Sequence, residues 1–159
     1  MTETPAVTLR AYDPSLIPVF DRLNRAWIAE FFEVEPFDHE VLTRPDVHIL
    51  AKGGELWFAA RGDDVIAACA LMPYAEGVLE FTKLGVDPAA RGRGVARTLL
   101  RHCMGRAIAL GAHTLKIFTS TKLAPANALY VSEGFQAVPM SAEQLARYKR
   151  GDIMYDLAL

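Results

Sequence analysis

The segment Val86-Asp87-Pro88-Ala89-Ala90-Arg91-Gly92-Arg93-Gly94-Val95-Ala96-Arg97 sets three arginines and two glycines in a turn with no acidic residue after Asp87. A helix that starts here would ordinarily favour Asp or Glu in its first turn, where free N–H groups form the positive end of the dipole. Arg91, Arg93 and Arg97 crowd that end instead. Free N–H groups, glycines that permit close approach and surplus cations describe an anion site, most simply a phosphate cradle. Six residues before Val86 stands Glu80, in a stretch that is otherwise apolar or small. Strand alternation puts Val78, Glu80, Thr82, Leu84 and Val86 on one face. A carboxylate there is costly to bury unless paired or used, and partial burial raises its pKa towards general-base work. The competing reading is a strand-end glutamate half in water. Tyr130 supplies a phenol just before Gly134. It is either a proton donor or a core tyrosine with its hydroxyl satisfied.

Elements at fixed places must hold these groups. Alternation and β-branched residues predict strands over 7–12, 56–61, 65–72, 79–86, 113–119, 135–138 and 153–159. Helical spacing predicts a helix over 16–32, with Leu16, Val19, Phe20, Leu23, Trp27 and Phe31 on one stripe and Pro18 in its first turn. Asp38 caps a short second helix through Leu42. A third covers 95–110, stopped by Gly111, and a fourth covers 126–132, stopped by Gly134. The order is β-α-α-β-β-β-α-β-α-β-β. We therefore expect an α/β (α+β) domain over 1–159, with roughly seven strands and about four flanking helices.

The 159 residues are 52% hydrophobic and 23% charged, which suits one packed domain and not a disordered chain. A net charge of −2 argues against a nucleic-acid partner, because such binding rests on a broad basic surface. Cys69 and Cys103 both lie in apolar stretches and read as buried free thiols, with one disulfide left open. Residues 1–5 carry no secretory signal, and no apolar run approaches the roughly 20 residues of a membrane helix. The expectation is a cytoplasmic protein without a membrane partner. His39, His48, His102 and His113 have no metal-ligand spacing, so no metal is assigned.

Three phosphate-binding patterns compete at the turn. The Walker pattern is absent, and a dinucleotide fingerprint starting at Gly92 ends on Arg97 where Gly or Ala is needed. The third, Arg/Gln-x-x-Gly-x-Gly/Ala after a strand, is met by Arg91, Gly94 and Ala96. Next to it stands the possibility of a plain glycine-rich turn with surface arginines.

Taken together the residues resemble the GNAT superfamily of acyl-CoA-dependent N-acetyltransferases, in its small bacterial type. The matching order is a strand carrying Glu80, then Val86-x-Pro88, then Arg91-Gly92-x-Gly94-x-Ala96 opening a helix with Leu99-Leu100. After a further strand comes Ala126-x-x-Leu129-Tyr130-x-x-x-Gly134-Phe135. The stretches Leu23-Asn24-x-x-Trp27-Ile28 and Tyr148-Lys149-Arg150-Gly151-Asp152-Ile153-Met154 look like the same small members. The resemblance implies a centrally split mixed sheet and acetyl-CoA as cosubstrate. It implies that Arg91, Gly92, Arg93, Gly94, Val95, Ala96 and Arg97 hold the CoA pyrophosphate. Leu84, Gly85 and Val86 would pair with the pantetheine arm as an added strand does, and an N–H at a bulge there would stabilise the oxyanion. Glu80 would take a proton from the acceptor ammonium, directly or through water, and Tyr130 would protonate the departing thiolate. Many relatives carry Asn seven residues before this tyrosine. Here Leu123 stands there, and Asn127 is the substitute to consider. Trp27, Phe31 and Glu33 are expected to line the acceptor site, and acidic residues such as Glu33 and Glu35 to favour a cationic amine. The implied reaction moves acetyl to a primary amine of a small molecule or peptide. The alternative is a non-catalytic CoA-binding module of the same fold. The apolar tail 153–159 suggests strand pairing across a homodimer.

Overall fold

A computed structural model describes residues 5–159. Seven strands form one sheet in the order β1-β2-β3-β4-β5-β7-β6. They are β1 (Val7–Ala11), β2 (Glu55–Arg61), β3 (Asp64–Ala75), β4 (Val78–Val86), β5 (Thr114–Thr119), β6 (Gln136–Val138) and β7 (Ile153–Ala158). The helices are α1 (Ile17–Phe31), α2 (Pro36–Thr43), α3 (Pro45–His48), α4 (Val95–Ala109), α5 (Ala124–Ser132) and α6 (Ala142–Arg147). Two of these six exceed the expected four. One is the single turn α3, and the other is α6, which opens on a capping box between Ser141 and Gln144.

β3 is small-sided because helices press on both of its faces. Ala68 and Ala70 join the core under α1 with Phe20, Leu23 and Ile28. Ala67, Cys69 and Leu71 join the core under α4 with Val95, Leu99, Leu100, Cys103 and Ala107. Burial of each large side chain contributes about 1.5–3 kcal/mol, so these contacts fix both helices to the sheet; Phe31, expected on the α1 stripe, is exposed and Ile28 is buried in its place. Cys69 and Cys103 are free thiols in that second core, with sulfurs 3.6 Å apart. α1 approaches β4 so closely that a Cβ on Gly85 would lie 2.8 Å from the Leu23 carbonyl oxygen.

Two features create the space for a site. β4 and β5 run parallel but pair only where Val78, Leu79 and Glu80 face Thr114, Leu115 and Lys116. Beyond Glu80 they part, leaving one edge of β4 unpaired. On its other edge β4 carries a bulge. Ala68 pairs with Gly85 and Ala70 with Thr82, so Cys69 alone faces Lys83 and Leu84. Lys83 takes φ 56°, the only positive φ of a non-glycine among the described residues. The extra residue reverses the alternation. Leu79 and Phe81 before it and Leu84 and Val86 after it all pack on the α4 side. The expected single face from Val78 to Val86 is therefore corrected: Glu80 faces away from Leu84 and Val86.

The tail also differs from expectation. β7 lies between β5 and β6 and pairs with both, so the free edges are β1 and β6. Met154, Tyr155 and Asp156 of the terminal strand are thus paired on both sides. No helix of the described residues is long and apolar enough to cross a membrane.

Candidate active site

Where β4 and β5 part, a cavity of about 1120 Å³ passes through the sheet. One wall is the turn before α4. Gly92 and Gly94 adopt φ 75° and 79°, a conformation glycine reaches without a Cβ penalty. Gly94 caps α4 with no side chain bound to the helix end and no acid in the first turn. The helical ladder begins with Thr98 donating to the Gly94 carbonyl at 3.0 Å. The N–H groups of Val95, Ala96 and Arg97 thus have no intrahelical acceptor. They stand at the positive end of the dipole, on the cavity.

The arginine surplus is smaller than the sequence suggests. Arg97 and Arg101 both donate to Glu133, whose side chain is 8% exposed, and Arg91 lies 3.4 Å from Glu30. Arg91, Gly92, Gly94, Val95, Ala96 and Arg97 line the cavity, as do Leu84 and Val86. Arg93 points into solvent and does not. Gly85 does not either, since it is the contact point for α1. Asn127 is fully engaged within the fold. Its Nδ2 donates to the Ser120 and Leu123 carbonyls at 2.8 and 2.9 Å, and its Oδ1 accepts from the Tyr155 hydroxyl at 2.8 Å. The amide ties β5, α5 and β7 together and is absent from the cavity wall.

Glu80 and Tyr130 line the same cavity from different elements. The Glu80 Oε1 accepts from the Tyr148 hydroxyl at 3.2 Å. Burial raises the Glu80 pKa, opposed by that hydrogen bond and by the positive charge of Lys83. Tyr148 is fixed by stacking on Phe118, with centroids 3.9 Å apart and planes at 9°. Burial also pushes its phenol up, helped by the charge of Glu80. Tyr130 is 4% exposed and packs its ring among Phe81, Phe135 and Tyr155. Burial raises its pKa too, so the hydroxyl keeps its proton at neutral pH.

A further wall of the cavity is built by the end of α1, by α2, and by α6 with the segment after it. Trp27 and Phe31 line it as expected, and Trp27 is steadied by donating Nε1 to the Asn24 Oδ1 at 3.1 Å. Glu33, just past α1, is exposed and off the wall, so its expected role is corrected. Glu35 does line the cavity, but its carboxylate caps α2. Three residues on this side had no site role expected from the sequence. Arg150 grips Asp38 through two hydrogen bonds of 2.6 Å. Burial pushes the Asp38 carboxyl up, but Arg150 and the Glu35 N–H outweigh it and hold the pKa low. Lys83 leaves the bulge towards the cavity; burial lowers its pKa, aided by the charge of Arg150 and opposed by Asp38 and Glu80. A lysine within an apolar strand costs as much to bury as Glu80 does, and that was the available clue.

The profile of the acetyltransferase (GNAT) family matches residues 19–135, three quarters of the chain and all of the site except α6 and the segment after it. The chain belongs to the GNAT acetyltransferase family. A mycothiol acetyltransferase from Beutenbergia cavernae is 28% identical over 132 residues, 76% of this chain. The chain spans only 43% of that relative's length. An IAA acetyltransferase from Azospirillum brasilense is 28% identical over 138 residues, covering 82% of this chain and 85% of that one. The GNAT acetyltransferase of Staphylococcus aureus Mu50 superposes with a TM-score of 0.86 at 17% identity, covering 97% of this chain and 99% of the other. The PaiA N-acetyltransferase of Thermoplasma acidophilum, solved in complex with coenzyme A, gives 0.76 at 11% identity over 97% and 99% of the two chains. The last two establish a shared GNAT fold.

Proposed function

We propose that this GNAT protein transfers an acetyl group from acetyl-CoA to a primary amine by direct attack while both are bound. The observation that carries this reading is the joint opening of Glu80, Tyr130 and the α4 N-terminus on one cavity, at the point where β4 loses its partner. The residues fit the cosubstrate. Free N–H groups at Val95, Ala96 and Arg97 suit a pyrophosphate, and the unpaired edge of β4 suits an extended amide chain. Acetyl-CoA supplies an acetyl group activated as a thioester.

The chain supplies proton transfer and charge stabilisation. Ionised Glu80 takes a proton from the acceptor ammonium, and its raised pKa makes it a stronger base than an exposed carboxylate. The amine nitrogen then bonds to the thioester carbonyl carbon, and the carbon–sulfur bond breaks. Tyr130 gives the leaving sulfur the proton it needs, and the second proton of the attacking nitrogen restores the phenol as the amide forms. The bulge at Lys83 and Leu84 leaves an N–H out of the ladder, at hand for negative charge on the carbonyl oxygen.

The test combines acetyl-CoA with a broad panel of primary amines and follows thiol release, with the acetylated product confirmed by mass spectrometry. Amine-dependent release is expected. A protein that acetyl-CoA stabilises against heat, yet that releases no thiol with any amine, would favour the CoA-binding module instead. Leu123 at the usual Asn position and the internal use of Asn127 are the features that speak for that second reading.

A further inference from the structure

The acceptor side was expected to be acidic, and its charges are of the other sign. Of its three carboxylates, Asp38 is neutralised by Arg150, Glu35 caps α2, and Glu80 accepts from Tyr148. Against them stand Lys52, Lys83, Lys122, Arg147 and Lys149, all lining the cavity. Among the described residues no carboxylate lies within 4.0 Å of any of these five. Aromatic faces, which attract cations without cancelling their charge, hold two of them. The Lys122 ammonium sits 5.1 Å from the Phe32 ring centroid, and the Arg147 guanidinium 5.6 Å from that of Tyr148.

Lys83 is the most informative of the five. It is partly buried, lies three residues from Glu80, and occupies a left-handed backbone conformation that lysine adopts at a cost. Glycine would fit that position without strain, so its presence is explained by what the ammonium does in the cavity. Its charge is within reach of Glu80, Asp38 and Arg150 but locked to no carboxylate.

We infer that the acceptor carries a carboxylate beside its amine, as an α-amino acid does, with Glu80 receiving the ammonium and Lys83 the carboxylate. This rests on the acetyl-transfer reading above and narrows its acceptor. Glu80 and Lys83 line one cavity and feel each other's charge without pairing, which suits two opposite charges borne on one carbon. The stacked pair of Phe118 and Tyr148, with Phe32 and Met72, offers an apolar wall for the amino-acid side chain.

The experiment pairs amino acids such as phenylalanine and methionine with their decarboxylated amines, which are somewhat more basic, so the ratio is read against the same ratio in the Lys83 variants. Thiol release from acetyl-CoA gives kcat/KM, and thermal shift in the presence of CoA gives binding. The amino acid is expected to be preferred by about tenfold or more, the scale of one charge-assisted hydrogen bond in a shielded site. Lys83→Met should bring the ratio close to one in both readouts. Lys83→Gly should do the same while melting above wild type, since it relieves the strained φ, so a folding defect cannot imitate the result. Equal use of amino acid and amine by an active enzyme would overturn this inference alone. So would a preference that survives both substitutions. No thiol release with any acceptor would overturn the acetyl-transfer reading, and this inference with it.

Discussion

Gly85→Ala tests whether α1 truly presses on the strand that carries the site. The new Cβ would lie 2.8 Å from the Leu23 carbonyl oxygen, 2.9 Å from its carbon and 3.2 Å from the Asn24 nitrogen. Ordinary contact begins near 3.4 Å, so helix and strand must separate by about 0.6 Å. All three atoms are backbone in the middle of α1, so no side chain can rotate aside. Overpacking of this kind costs about 1–3 kcal/mol, and alanine's lower unfolded-state entropy returns roughly 0.5–1 kcal/mol. At the middle of both ranges the net loss is about 1.2 kcal/mol, or roughly 2–5 °C in Tm for a chain of this size. Gly105→Ala is the control, because Gly105 lies inside α4 with no atom within 4 Å of the new Cβ. It should gain about 0.5–1 kcal/mol from helix propensity. Thermal unfolding followed by far-ultraviolet circular dichroism measures both. A Gly85→Ala protein that melts at or above wild type would refute the close α1–β4 contact, and with it the rigid placement of the bulge.

Three further outcomes follow from the same geometry. Tyr130→Phe keeps the ring packed among Phe81, Phe135 and Tyr155, so Tm should hold within a few degrees while turnover falls about 100- to 10,000-fold. Unchanged steady-state rates would remove Tyr130 from the proton path. Asp38→Asn should cost about 1.5–3 kcal/mol at pH 7, the range of a hydrogen bond to a charged group. The Asp38 pKa is lower folded than unfolded, so its stabilisation is present above the ordinary value of about 3.9 and fades as pH falls through the folded value. Urea unfolding at pH 7 and pH 3 should therefore show the gap between wild type and variant closing with acid, and a constant gap would contradict the pairing with Arg150. Cys69 and Cys103 are fully buried, and burial raises the Cys69 pKa well above its ordinary value. An aromatic disulfide reagent should label neither until the chain unfolds; rapid labelling of the native protein would show that the α4 core opens.

The local pattern carried much of this fold. The Gly–Arg turn, the Tyr130 helix α5 and most of the apolar stripe of α1 each depend on near neighbours in the chain, and the structure places them as the spacing implies, except that Phe31 is exposed and Ile28 is buried in its place. The bulge at Lys83 was not legible, because it is a property of the register between β3 and β4 and leaves no mark in the alternation of β4 alone. Without that extra residue, alternation alone puts Leu84 and Val86 on the wrong face. The fate of Asn127 was hidden for a related reason. Its partner Tyr155 is brought alongside only when β7 inserts between β5 and β6. Tyr148 stood in a segment that resembled relatives but had no assigned role, and only the docking of α6 brings its hydroxyl to Glu80. Charge was misjudged where carboxylates near the end of α1 were counted without their positions: Glu33 faces water and Glu35 caps a helix.

The most direct measurement of the central claim is the pH profile of kcat/KM for thiol release, compared between wild type and Glu80→Gln with one acceptor. Glutamine preserves the shape and an oxygen for the Tyr148 hydroxyl, and it removes only the titration. Wild type should lose activity as acid protonates Glu80, with the midpoint above the ordinary carboxylate range because the pKa is raised. The variant should turn over about 100- to 10,000-fold more slowly and lack that acid limb. Superimposable profiles would contradict Glu80 as the base.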